Sequence, residues 1–174
     1  PPECGEVLKY QWEEVLIPYW KEAVSFAASK GVKKIALEIH PGFCVYNPEA
    51  LMRLRGAVGE MIGANLDPSH LFWQGVDILS AIRYLKEAVY YFHAKDTVLH
   101  ADRIRVKGVL DTTPLSELSD RSWAFSALKT VGYDGTLSIE HEDGLMSPKE
   151  GLEKAVAFLK GMVIREGNQN MFWA

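Results

Sequence analysis

Short apolar runs alternate with longer amphipathic stretches along this chain. Tyr10, Val15, Leu16, Trp20, Ala23, Val24 and Ala27 recur at helical spacing and Gly31 closes the run, which predicts a helix over 9–30. Pro18 inside that run predicts a kink or a break. Lys33–Ile39 (KKIALEI) reads as a short buried strand. Pro48 to about Val58 reads as a helix with Asn47 as its N-cap. Ile62–Leu66 (IGANL) is a second strand, Val76–Lys86 a helix and Val89–His93 (VYYFH) a third strand. An irregular stretch follows from Thr97 to about Asp120. Arg121–Val131 then reads as a helix that stops near Gly132, and Thr136–Glu140 (TLSIE) as a fourth strand. Ser147 caps a last amphipathic helix, with Pro148 at its first position and Ala155, Val156, Phe158 and Leu159 on its apolar face. The tail Gly167–Ala174 is expected to fray.

The order α-β-α-β-α-β-α-β-α predicts an α/β fold with parallel strands joined by right-handed crossovers. No linker or low-complexity stretch interrupts it, so residues 1–174 are expected to form a single domain. A small doubly wound sheet and a β/α barrel both satisfy the alternation. The first is expected to carry a glycine-rich phosphate loop between a strand and a helix. Gly56 and Gly59 instead lie on or near a helix.

Composition narrows the function. Among 174 residues 48% are apolar and 24% charged, as in ordinary globular proteins. Lysine and arginine number 19 against 23 acidic residues, a net charge of −4. That balance argues against a nucleic-acid partner, which needs a basic surface. No apolar run approaches the roughly 18 residues of a membrane span, and no stretch has the order of a signal peptide. The chain opens Pro1-Pro2-Glu3-Cys4 without an initiator Met. Cys4 and Cys44 make neither a disulfide framework nor a Cys-rich zinc site, so the cytoplasm is the expected compartment. Cys44 has no basic partner in sequence to make it a catalytic thiol.

Each strand ends in a possible metal ligand. Glu38 ends the first and is followed by His40-Pro41-Gly42. Asp67-Pro68-Ser69-His70 follows the second, His93-Ala94-Lys95-Asp96 the third and Glu140-His141-Glu142-Asp143 the fourth. In parallel β/α folds the strand C-termini emerge on one face, and active sites form there. Glu38, Asp67, His93 and Glu140 can then converge, and three carboxylates with one imidazole suit Mn²⁺, Mg²⁺, Co²⁺ or Zn²⁺. Taken singly, the same residues read more simply as helix N-caps, solvated acids or a structural histidine. Glu142 and Asp143 exceed what one site needs and read as supporting, capping or solvated groups. His40 lies two residues past Glu38, so both side chains share a face if the strand continues, and it either meets substrate or packs. Lys95 and Asp96 either bind a substrate oxygen or pair with each other. Phe72 and Trp73 either wall a pocket or enter the core, and Tyr90, Tyr91 and Phe92 read as core.

The strings ALEIHPG (Ala36–Gly42), NLDPSHLFWQG (Asn65–Gly75), FHAKD (Phe92–Asp96) and VGYDGTLSIEHED (Val131–Asp143) resemble the sugar phosphate isomerase/epimerase family. This family belongs to the xylose isomerase-like barrels, with ketose 3-epimerases, hydroxypyruvate isomerase, inosose dehydratase and endonuclease IV. The resemblance implies a (β/α) barrel with one divalent ion, Mn²⁺ first among the candidates, held by Glu38, Asp67, His93 and Glu140. It implies a sugar or polyol substrate contacted by His70, with His40, Lys95 and Trp73 as further substrate-binding candidates. It also implies that Glu38 and Glu140 serve both as ligands and as the acid and base.

Three departures qualify it. The full barrel has eight strands in roughly 250 residues, whereas about four β/α units are legible here and they resemble the C-terminal half. The remaining half, or a second copy of the chain, is expected to complete it. The segment between Trp123 and Ala127-Leu128-Lys129 is shorter than in relatives. Ketose 3-epimerases carry a substrate-binding Glu and Arg where this chain has Cys44 and Leu99, and Arg103 or Arg105 is left as an alternative source of charge.

The expected chemistry is proton removal beside a carbonyl, with a divalent cation stabilising the enediolate. The alternatives are dehydration of a cyclic polyol, as in inosose dehydratase, and a metal-binding half-barrel without turnover. Endonuclease IV-like hydrolysis calls for more ligands and a basic groove than this chain supplies.

Overall fold

The computed structural model describes residues 3–95, 122–142, 144 and 146–166. The stretch expected to be irregular, with Asp96, Leu99, Arg103 and Arg105, lies outside the described residues, as do Asp143 and the tail. Strands β1 (Ile35–Glu38), β2 (Ile62–Leu66), β3 (Val89–His93) and β4 (Leu137–Ser138) lie side by side in sequence order, all parallel. In β2 Ile62, Gly63, Ala64 and Leu66 are buried, as a central strand covered on both faces requires. The architecture is a partial barrel of the parallel α/β kind.

Helices α1 (Glu3–Tyr10) and α2 (Ile17–Ser29) are joined by a π-helical segment over Gln11–Leu16. Pro18 therefore breaks nothing. It occupies the first turn of α2, directly after the π-helical segment, whose widened turn is closed by Ile17 N–H to the Trp12 carbonyl. Trp12, Leu16, Trp20 and Val24 face the core at four-residue intervals, while Tyr10 and Val15, expected on that face, are exposed. An α-turn of about 3.6 residues falls short of four and a π-turn exceeds four, so the mixed helix holds this row in line. Gly31 and Gly132 end their helices at φ 83° and 76°, each followed by a paired return of N–H groups to the last turn.

Helix α3 (Pro48–Val58) starts where expected, with the Asn47 side chain accepting from Ala50 N–H at 2.8 Å. A five-residue helix not foreseen from the sequence, α4 (Pro68–Phe72), follows β2. Helix α5 (Ile78–Leu85) begins two residues late because Asp77 caps it through Ser80 N–H. It buries Ile78, Ala81, Ile82 and Leu85, the i, i+3, i+4, i+7 face of an amphipathic helix. A 3₁₀ turn at Lys86–Ala88 leads into β3. Helices α6 (Ser122–Thr130) and α7 (Pro148–Met162) complete the cover, the latter capped by Ser147. The core joins Leu51, Leu54, Ile62, Leu66, Ile82, Phe92, Leu128 and Leu159. Strand β4 is shorter than its apolar pattern, because β3 ends at His93 and pairs only with Leu137 and Ser138.

The N-terminal end of the sheet is tied by Arg55. Its Nη1 donates to the carbonyls of Glu60 and Ile62 and to the Tyr90 hydroxyl at 2.8 Å, and Tyr90 donates in turn to the Glu60 carbonyl. The register between β2 and β3 skips Tyr90, so its ring lies over Gly63. A Cβ on Gly63 meets Tyr90 Cδ2 at 2.3 Å and the Ala88 carbonyl at 2.6 Å, and the second contact is backbone. Gly63→Ala is expected to destabilise the fold by about 1–3 kcal/mol through overpacking. Urea unfolding checks this, and an unchanged midpoint contradicts it.

Candidate metal centre

The C-terminal ends of the strands carry the acidic residues. Glu38 ends β1 and shares its register with Asn65 of β2, His93 ends β3, and Asp67 and Glu140 lie just past β2 and β4. One ligand atom from each of Glu38, Asp67, His93 and Glu140 falls within a group in which no two are more than 4.8 Å apart. The Asp67 side chain is fully buried, that of His93 is 16% exposed, and the two glutamates are each 35% exposed. Asp67 and His93 thus form a floor, and the glutamates flank it at the rim.

Local structure places the floor. Asp67 Oδ1 accepts from Ser69 N–H at 2.8 Å, which caps α4 and turns Oδ2 toward the cluster. His93 Nδ1 lies 3.4 Å from Glu140 Oε2, 3.8 Å from Asp67 Oδ2 and 3.9 Å from Glu38 Oε1. Asp67 Oδ2 and His93 Nδ1 are both buried without a hydrogen-bond partner. Orphaned buried polar atoms are costly, and two facing a common point with two more carboxylates fit a divalent cation.

Each rim glutamate has a basic neighbour. His70 Nε2 is 3.2 Å from Glu38 Oε1 and 3.4 Å from Asp67 Oδ2. Lys95 Nζ is 2.6 Å from Glu142, 3.0 Å from Glu140 and 3.8 Å from Asp67. Burial disfavours the Lys95 charge, but hydrogen bonds to Glu142 and Glu140 outweigh it and hold its pKa above the ordinary lysine value. Burial likewise raises Glu140, but the Lys95 hydrogen bond and the nearby Lys95 and His93 charges outweigh it, so its pKa is lowered.

Of the remaining sequence candidates, His40 does not reach the cluster through a hydrogen bond. Its ring packs edge-on against His70 at 4.2 Å, and Phe43 lies 5.1 Å beyond. Phe72 and Cys44 pack against the core, and Trp73 is exposed at the end of α4. Lys95 turns to Glu142 and Glu140. Asn65 was not singled out from the sequence, yet its Nδ2 lies 3.0 Å from His93 Nε2. The available signal was a polar residue inside an otherwise buried apolar strand. A separate recess of about 620 Å³ opens between the first helix and the loop after β1, and it contains none of the four ligand candidates.

The fold and this cluster define a class. The chain belongs to the xylose isomerase-like TIM barrel family, whose model matches residues 4–162. It is 43% identical over 176 residues to the uncharacterised protein YfiH of Bacillus subtilis (strain 168), a match covering 92% of this chain and 56% of that protein. Its fold is similar to a xylose isomerase domain protein from Planctomyces limnophilus, with TM-score 0.67 and 24% identity, covering 84% of this chain and 50% of that one. It is also similar to the probable 3-DHS dehydratase AsbF of Bacillus anthracis, with TM-score 0.66 and 18% identity over 86% and 56% of the two chains. A D-allulose 3-epimerase from Methylomonas sp. gives TM-score 0.61 and 18% identity over 84% and 54%. The chain spans about half the length of each of these proteins. Among the described residues no helix is long and apolar enough to cross a membrane.

Lys95→Met in the metal-free chain leaves Asp67, Glu140 and Glu142 facing one another. The expected cost is about 1–3 kcal/mol near neutral pH, below that of breaking a fully buried pair because both glutamates are partly solvated. The pH dependence changes as well. Glu140 has a depressed folded-state pKa, so its contribution is present above the unfolded value and lost as pH falls through the folded one. The wild-type chain therefore loses this stability in the acid range below the usual carboxylate value, and Lys95→Met loses less over the same range. Thermal unfolding in chelator across that range checks both; parallel profiles contradict the coupling.

Proposed function

We propose that the chain is the metal-binding half of a divalent-metal-dependent isomerase or epimerase acting on a sugar or sugar phosphate. The observation that carries this reading is the pair of buried atoms without a hydrogen-bond partner, Asp67 Oδ2 and His93 Nδ1, facing two rim glutamates. Glu38, Asp67, His93 and Glu140 would hold the ion, with Mn²⁺ the first to try and Mg²⁺, Co²⁺ and Zn²⁺ compatible with the same donors. When bound, it would supply positive charge beside a substrate carbonyl, which favours loss of a proton from the neighbouring carbon.

The protein's own residues would do the rest. Glu38 and Glu140 come from opposite edges of the four-stranded sheet, so they flank a substrate laid across Asp67 and His93. One carboxylate would take the proton from carbon and the other return it, on the opposite face for epimerisation. His70 beside Glu38 and Lys95 beside Glu140 orient the two carboxylates, and Lys95 favours the charged form of Glu140. Their partial exposure leaves each able to reach a small substrate, while the buried floor is shielded from water. The full activity belongs to the longer protein or assembly in which this half-barrel is completed.

Two outcomes test the reading. Elemental analysis after dialysis against Mn²⁺ should find about one equivalent per chain, by the four-donor count. Glu140→Gln should lower turnover in a sugar screen by at least about 100-fold, as loss of an acid or base does, with the circular dichroism spectrum unchanged. Product analysis separates proton exchange from loss of water, so an unsaturated product would redirect the assignment to a dehydratase. Metal binding without turnover, in a completed barrel, would favour the non-catalytic alternative.

A further inference from the structure

The geometry points to Asn65 as the residue that selects the tautomer of His93 and so makes Nδ1 a metal ligand. This inference rests on the metal-centre reading above. A neutral imidazole carries one proton, and only the nitrogen without it can bind a cation. His93 Nδ1 faces Glu38, Asp67 and Glu140, whereas Nε2 faces the Asn65 side chain at 3.0 Å. The proton must therefore sit on Nε2 for the centre to form, and Nε2–H then needs an acceptor in a site from which water is largely excluded.

Asn65 can supply that acceptor. Its Nδ2 is turned to Nε2, and its Oδ1 is buried without a hydrogen-bond partner. The two ends of the amide have the same shape, so a half-turn brings Oδ1 to Nε2–H. That turn gives Oδ1 a partner and leaves the Nδ1 lone pair directed at the three carboxylates. With Nδ2 toward the ring instead, Nε2 must accept, Nδ1 carries the proton, and the cation faces N–H rather than a lone pair. Asn65 is thus a positioning residue for the metal. It is the register partner of Glu38 and lies two residues before Asp67, so the strand that delivers one ligand also sets the state of another.

The test reads the tautomer and the affinity directly. In the ¹⁵N-histidine-labelled chain loaded with Zn²⁺, the His93 resonances, identified by their loss in His93→Gln, should show Nε2 protonated and Nδ1 metal-bound. Asn65→Leu, alike in branching but without an acceptor, should weaken Zn²⁺ binding by roughly 10–100-fold in calorimetry. Asn65→Asp, which can only accept, should bind at least as tightly as wild type. A purely structural role for Asn65 does not predict that rescue. A proton on Nδ1 in the loaded wild-type chain overturns the inference, and so does wild-type affinity in Asn65→Leu or equal weakening in Asn65→Asp. Should Asn65→Leu not fold, the wild-type spectrum decides. A wild-type chain that binds no Zn²⁺ or Mn²⁺ overturns the metal centre and this inference together. Binding with the expected tautomer but no sugar turnover in a completed barrel overturns only the proposed reaction.

Discussion

Three carboxylates held around one partly buried point repel one another, and much of the C-terminal face of this sheet answers that repulsion. Asp67 is fully buried, so its charge is the least screened by water. Ser69 N–H takes one of its oxygens, His70 and Lys95 stand near the other, and Lys95 bridges onward to Glu140 and Glu142. These contacts lessen the repulsion without satisfying every atom. The deficit at Asp67 Oδ2 and His93 Nδ1 is what a divalent ion would complete. Binding of an ion there would couple ion affinity to local order.

The two ends of the sheet carry different burdens. At the N-terminal end Arg55, Tyr90 and the bare Gly63 join α3, β2 and β3 through hydrogen bonds and close packing. Acidic side chains converge at the other end, about as far from that lock as the strands allow. This division suits a parallel α/β fold, where one rim serves stability and the other can be varied for chemistry. The skipped residue Tyr90 in the β2–β3 register links the two, because it sets which side chains of β3 reach the upper rim. Tyr91, directly below His93 and 5.8 Å from its ring, is placed by the same register.

The support around the cluster is layered. His40 leans on His70, His70 on Glu38, and Asn65 on His93. Each layer is held by a different loop or strand, so a rim residue is oriented by neighbours far from it in sequence. Oriented donors and acceptors of this kind fix the positions of the side chains they touch.

How much of this was legible beforehand follows from the range of the interactions. Strands β2 and β3 and helix α3 match their apolar patterns residue for residue, because burial on both faces of a strand and an Asn-Pro helix start are local properties. The strand-end positions of Glu38, Asp67, His93 and Glu140 follow from the alternation of elements, since parallel strands bring their C-termini to one rim. The short helix α4 escaped the pattern because five residues are too few to show a period. The truncation of β4 depended on where β3 stops. Lys95 meets Glu140 and Glu142, partners that no local pattern shows, while Asp96, its neighbour in sequence, lies outside the described residues. Asn65 looked like an ordinary strand residue until the β2–β3 register brought it to His93. Periodicity is written in neighbouring residues and can be read from them. Hydrogen-bond partners separated by 28 or 45 residues are decided only when strand register and burial bring them together.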